Sequence, residues 1–162
     1  MNDVPTDPSP RPSTDLTIRR ATADDLPAIV AMLADDTLGA TRESPDDLTP
    51  YRTAFARIDA DPHQHLVVAE RAGRTVGTLQ LTLVPGLSRK GSTRTIIEAV
   101  RIHADERGTG LGTELIRWAV DRSRELDADL VQLTSDATRT DAHRFYERFG
   151  FVASHLGFKL AL

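Results

Sequence analysis

Val100-Arg-Ile-His-Ala-Asp-Glu-Arg107-Gly-Thr-Gly-Leu-Gly112-Thr113 decides how the chain is read. It leaves an alternating strand end, crosses a short polar turn, and places glycines at 108, 110 and 112. Beyond it Leu111, Leu115, Trp118, Ala119, Val120 and Leu126 recur at helical spacing. A glycine-rich loop that opens a helix gathers backbone N–H groups at the positive end of the helix dipole. That is an anion site, and a diphosphate is the anion it fits best. A Walker phosphate loop would need a lysine where this loop has none. A dinucleotide fingerprint would carry its third glycine one position later, after the first strand of a βαβ unit. Taken alone, the loop could also be a turn that only starts a helix.

Upstream, Arg94 to Ile102 reads as a strand that ends on the quoted stretch. Gln64 to Glu70 and Thr75 to Leu83 form a hairpin around Ala72-Gly73-Arg74, so the sheet begins antiparallel. Leu16 to Arg20 is a short first strand. Leu26, Ile29, Val30 and Leu33 mark one amphipathic helix, with Asp24 and Asp25 at its start. Tyr51, Phe55 and Ile58 mark a second, with Ser44-Pro45-Asp46-Asp47 as its expected beginning. Downstream, the long helix runs to about Leu126, and Leu130 to Thr134 forms a strand parallel to Arg94–Ile102 through a right-handed crossover. Asp141 to Phe149 is the last helix, stopped by Gly150. Phe151-Val152 and His155 to Leu160 are expected to supply a final strand or strand pair.

The composition narrows the function classes. At 162 residues the chain is one domain in size. Residues 1–15 hold four prolines and almost nothing apolar, and are expected to be a disordered tail ahead of a domain spanning 16–162. The net charge of −4 gives no basic excess for nucleic acid. No cysteine is present, which excludes disulfides, thiolate metal sites and a cysteine nucleophile. No apolar run approaches a membrane span and no signal-type segment is seen, so a cytoplasmic protein away from membranes is expected. His63 and His65 make a His-x-His pair without an evident third ligand, and no metal is expected.

Arg107-Gly-Thr-Gly110-Leu-Gly112 and the downstream Phe145-Tyr146-Glu-Arg-Phe149-Gly150-Phe151 together resemble the GNAT superfamily of acyl-CoA-dependent N-acetyltransferases. The first matches that family's Arg/Gln-x-x-Gly-x-Gly/Ala signature, and the second its Phe/Leu-Tyr-x-x-x-Gly-Phe run. The order of elements over residues 16 to 162 also matches. The resemblance implies an α/β fold with a mixed, largely antiparallel sheet. Its parallel central strands are splayed around the coenzyme, and helices lie on both faces. It implies acetyl-CoA as co-substrate, with the diphosphate on the amides of Arg107, Gly108, Thr109, Gly110, Leu111 and Gly112 and a further contact from Thr113. The pantetheine arm would lie along Val100, Arg101 and Ile102.

Tyr146 stands where the family's tyrosine protonates the departing thiolate. Glu98, on an Ile97-Glu98-Ala99-Val100 strand like that of related amino-sugar and aminophosphonate acetyltransferases, is the candidate general base. A salt bridge to Arg94, Arg101 or Arg139 is its bland alternative. Arg139 stands where the family often has a coenzyme-contacting asparagine, and could reach a phosphate or the substrate instead.

These residues lead to an enzyme that moves an acetyl group from acetyl-CoA to a primary amine, by direct attack in a ternary complex. A small-molecule acceptor is favoured, and a homodimer is possible. The rivals are a non-catalytic coenzyme A-binding module of the same fold and an enzyme acting on a protein N-terminus or lysine. The segments that would choose the acceptor, Asp35 to Tyr51 and Leu83 to Thr93, carry no signature that names it. The basic Arg89, Lys90 and Arg94 could favour an acidic one.

Overall fold

The computed structural model describes residues 15–36 and 38–162. The proline-rich stretch expected to be disordered therefore lies, but for Asp15, outside the described residues. One five-stranded sheet runs in the order β1 (Leu16–Arg20), β2 (Gln64–Arg71), β3 (Arg74–Val84), β4 (Arg94–Ile102), β5 (Leu130–Leu133). The first four strands are antiparallel to their neighbours, and β4 with β5 is the parallel pair. That is the mixed, largely antiparallel sheet expected.

The helices are α1 (Leu26–Ala34), α2 (Thr49–Ala60), a one-turn α3 (Ser88–Gly91) at the β3–β4 tip, α4 (Leu111–Glu125) and α5 (Thr140–Arg148). Strand β2 shows how they divide between the two faces. Leu66 and Val68 meet Ile29, Leu33, Phe55 and Ile58 of α1 and α2. Val67 and Ala69 meet Leu111, Leu115, Ile116 and Ala119 of α4. The period of two in the strand thus feeds two cores. Helix α4 comes down closely on β3: a Cβ on Gly77 would sit 3.1 Å from Leu115 Cδ1. Thr95 of β4 and Ser123 of α4, both buried, share a 2.7 Å hydrogen bond across the same interface.

The entry to α1 is held by ion pairs. Arg19 of β1 grips Asp25 through two hydrogen bonds of 2.8 and 2.9 Å and Glu70 of β2 through another of 2.9 Å. The Thr22 N–H also donates to Asp25, at 2.7 Å. These contacts pull the Asp25 carboxyl down to about 2, the Arg19 bonds contributing most.

Two expectations need correction. Ser44 to Asp47 is turn, and α2 begins at Thr49 with Pro50 in its first turn, where a missing N–H costs nothing. More substantially, residues 151–162 form no strand. Their apolar alternation is real, but β-propensity is realised only against a paired edge, and from Val152 onward the segment is exposed.

Candidate active site

Strands β4 and β5 pair from Arg94↔Leu130 to Ile97↔Leu133 and then part, because β5 ends at Leu133 while β4 continues to Ile102. The gap so opened is the splay between parallel strands. Its β4 side carries Glu98, Ala99, Val100 and Arg101; Thr134, Ser135, Arg139 and Tyr146 stand opposite, around a pocket of about 60 Å³.

A bulge in β4 shapes that side. Gln80 opposes Glu98 and Thr78 opposes Arg101, so Ala99 and Val100 together face Leu79. Ala99 has φ 52°, a left-handed conformation that a non-glycine residue adopts at a cost. The extra residue breaks the alternation. Glu98 and Arg101, three apart, now share a face of the sheet, while Ile102 returns to the α4 side opposite Gly77. Without it Arg101 would point into the apolar layer under α4. Nothing in the Glu98-Ala99-Val100 sequence signals this, since the bulged residue is an alanine.

Glu98 is exposed and forms no ion pair with Arg94, Arg101 or Arg139 among the described residues. Thr95 and Ile97 are the buried members of this strand segment, and Glu98 faces the gap. Tyr146 is half-buried, edge-on to Phe145 (5.3 Å between ring centres) and to Phe151 (5.9 Å). Burial pushes its phenol above the usual tyrosine range, while Arg139 and Arg101 pull the other way. It stays protonated at neutral pH and can give a proton.

Arg101 pairs with Asp36 at 3.3 Å and donates to the Val100 carbonyl at 2.9 Å. Its Nε and the Ser135 hydroxyl are buried with no protein partner. Unmet donors in a pocket wall are uncommon, and they mark where a polar ligand group would be received.

The glycine loop follows directly. A turn at Ala104–Glu106 is anchored by the Arg71–Glu106 ion pair. Gly108 and Gly110 take φ of 78° and 88°, and Gly110 caps α4. A left-handed residue at each point turns successive amides to one side. The N–H groups of Arg107 and Thr109 bond back to Ala104 and Glu106. Those of Gly108, Gly110, Leu111, Gly112 and Thr113 meet no backbone acceptor among the described residues. The loop thus presents a cluster of free donors at a helix N-terminus. Space there is reserved: a Cβ on Gly108 or Gly110 would meet nothing within 4 Å, while one on Gly112 would approach Phe145 of α5 at 3.8 Å. The two motifs singled out in the sequence are therefore in contact.

One feature had no sequence signal. Asp35 and Asp36, just after α1, reach the site separately: Asp35 pairs with Arg107 at 2.8 Å and Asp36 with Arg101. The α1–α2 connection is also tied internally, as Tyr51 donates to Glu43 and accepts from the Ser44 N–H. Pairs 65 to 72 residues apart leave no local pattern. His63 and His65 lie at the start of β2, and among the described residues no group of three His, Asp or Glu side chains converges as metal ligands would.

The splayed parallel pair, the amide-rich loop and the tyrosine helix coincide with a family model. Residues 26–151 match the Acetyltransferase (GNAT) family. The chain belongs to the GNAT family of acetyltransferases. It is 32% identical over 145 residues to the aminoalkylphosphonate N-acetyltransferase of Salmonella typhimurium, covering 90% of each chain. It is 26% identical over 140 residues to an L-methionine sulfoximine/L-methionine sulfone acetyltransferase of Pseudomonas paraeruginosa, covering 85% of this chain and 80% of that one. A solved structure from Bacillus halodurans, described as a transcriptional regulator, is 46% identical with a TM-score of 0.88, over 91% of this chain and 99% of that one. This GNAT chain is thus an enzyme that moves an acetyl group to an amine, and the family's donor is acetyl-CoA. None of its described helices is long and apolar enough to cross a membrane.

Proposed function

We propose that this acetyltransferase modifies the primary amine of a small acidic molecule, of the aminoalkylphosphonate or α-amino acid kind. The observation that carries the reading is the pocket at the β4–β5 splay. Glu98 and Tyr146 stand there with Arg101, Arg139 and the unpartnered Ser135 hydroxyl. Two cations beside a free carboxylate suit an acceptor with one amine and one acid group. Both relatives named above act on amines that carry acidic or sulfone-type polar groups.

The loop residues suit the donor. The free amides of Gly108, Gly110, Leu111, Gly112 and Thr113 would hold a diphosphate, with Arg107 and Thr109 shaping the turn. Thr113 could add its hydroxyl, and Arg139 could reach a phosphate or the acceptor. Val100, Arg101 and Ile102 lie on the part of β4 left unpaired by β5, where an extended chain can bond along the strand. When bound, acetyl-CoA supplies an activated acetyl thioester. Glu98 then takes the proton of the incoming amine, directly or through a water, and Tyr146 gives its phenolic proton to the leaving sulfur. A backbone N–H at the Ala99–Val100 bulge, beside the pocket, would be the donor to the carbonyl oxygen. With no cysteine in the chain, attack on the thioester is direct. We place the reaction in the cytoplasm, where acetyl-CoA is available, and infer a homodimer.

The test is thiol release from acetyl-CoA across aminoalkylphosphonates, amino acids, amino sugars and peptides. The cysteine-free chain adds no background to a thiol reagent. Turnover confined to amines with a nearby acid group supports the proposal, and preference for neutral amines or peptides removes it. The Bacillus halodurans relative's description favours a second reading, a coenzyme-binding regulator. Tight coenzyme binding with no turnover on any amine would select that one.

A further inference from the structure

The sheet face under α4 runs out of apolar residues at one end, and acetyl transfer makes no use of what replaces them. Along β1 the side chains on that face are Leu16, Ile18 and Arg20; along β2 they are Ala69, Val67 and His65. Arg20 stands opposite Val67 in the register. On α4, Trp118, Arg122 and Glu125 follow one another at helical spacing and share one stripe of the helix. Arg20, His65, Val67, Trp118, Arg122 and Glu125 together line a cavity of about 310 Å³, a volume at the lower end of those that take small ligands. It shares no residue with the pocket at the β4–β5 splay. It also sits on the second half of α4, away from the glycine loop at the start of that helix.

The walls combine an apolar surface with positive charge. Val67 and Trp118 supply the first, both packed with the α4 core. Arg20 and Arg122 supply the second. Arg20 holds Asp59 at 3.2 Å and Arg122 holds Glu125 at 2.8 Å, but all four side chains are well exposed, and surface pairs of this kind are weak enough to give way to a ligand. The His65 Nε2 is buried with no protein partner, an uncommon state that marks where a ligand atom would be received. Burial holds the His65 ring below the usual histidine range, and Arg122, Arg20 and His63 push it the same way. The field of its neighbours at that ring is therefore positive in spite of Glu125, and it favours an anion. We propose that this cavity is a second binding site, for a small organic anion that carries a flat ring. Its carboxylate or phosphate group lies between Arg20, Arg122 and His65, and its ring lies against Trp118.

Trp118 is the single tryptophan of the chain, so its fluorescence reads this cavity without any assay of turnover. With the full chain saturated with coenzyme A, benzoate and phenyl phosphate should each quench it saturably. Benzamide, which has the ring without the charge, should not. Arg20→Gln and Arg122→Gln should each weaken benzoate binding by roughly tenfold or more while far-UV circular dichroism stays unchanged. An anion against the imidazole favours its protonated form, so binding takes up a proton at His65. Benzoate does not itself titrate near neutrality; its affinity should rise severalfold as pH falls from about 8 to about 6, and His65→Gln should flatten that dependence. Failure of both anions to quench, or equal binding of benzamide, would overturn the proposal. So would a benzoate affinity indifferent to both arginine substitutions, or a pH dependence that His65→Gln leaves unchanged.

Discussion

Asp25→Asn isolates the charge at the node joining β1, β2 and α1. The side chain keeps its size and can still accept from Thr22, but it no longer answers the Arg19 guanidinium. In the folded protein the carboxyl lies at about 2, against an ordinary value of 3.8. At about 1.4 kcal/mol per unit, that difference is worth roughly 2 kcal/mol of folding stability at neutral pH. The side chain is 7% exposed, so solvent screening removes little of it. Because the folded value is depressed, the contribution is complete above the unfolded value and fades as pH falls towards 2. About half should remain at pH 3. Urea unfolding of both proteins at pH 7, 5, 4 and 3 measures this. The gap should be roughly 2 kcal/mol at pH 7 and 5 and should shrink below that. A gap under about 0.5 kcal/mol at pH 7, the size of an ordinary surface ion pair, would refute the reasoning. So would a gap that does not change with pH.

At the site, Tyr146→Phe should lower kcat by about a hundredfold and leave coenzyme affinity near wild type in equilibrium titration; unchanged turnover removes the acid role. Glu98→Gln should lower kcat most at low pH-adjusted free amine, and the loss should ease as pH rises and the substrate deprotonates unaided. Gly110→Ala places a side chain at φ 88°, costing about 1–2 kcal/mol in thermal unfolding, and should weaken coenzyme binding further by crowding the loop. Ala99→Gly relieves the left-handed strain at the bulge and should leave stability equal or up to about 1 kcal/mol higher, whereas Ala99→Val should lower both stability and turnover.

The elements nearest the site were legible because their signals are local. The strand Arg94–Ile102 has the bounds its alternation implies, and the glycine spacing places the loop on the N-terminus of α4. The parallel β4–β5 pair follows from a crossover helix that can close only one way. What escaped was long-range or conformational. The Asp35–Arg107 and Asp36–Arg101 pairs join distant segments. The Ala99 bulge hides behind a residue with no special preference for positive φ. Glu98 stands among apolar neighbours, and its exposure depends on the strand beside it stopping one residue earlier. The C-terminal alternation has the pattern of a strand, but whether a strand forms depends on an edge that lies elsewhere.

The adjacent aspartates after α1 predict a kinetic signature. Asp35 holds the glycine loop through Arg107, and Asp36 holds β4 through Arg101. The same few residues lead into the α1–α2 connection. On the proposed function, a donor whose phosphates draw Arg107 away from Asp35 would release one of these ties, so that filling the donor site would alter the affinity for the acceptor. Thermodynamic reciprocity requires the acceptor to change donor affinity by the same factor. Initial-velocity lines should therefore intersect away from the axis in the wild-type enzyme. In Asp35→Asn they should move towards intersection on it, as for two substrates that bind without regard to each other.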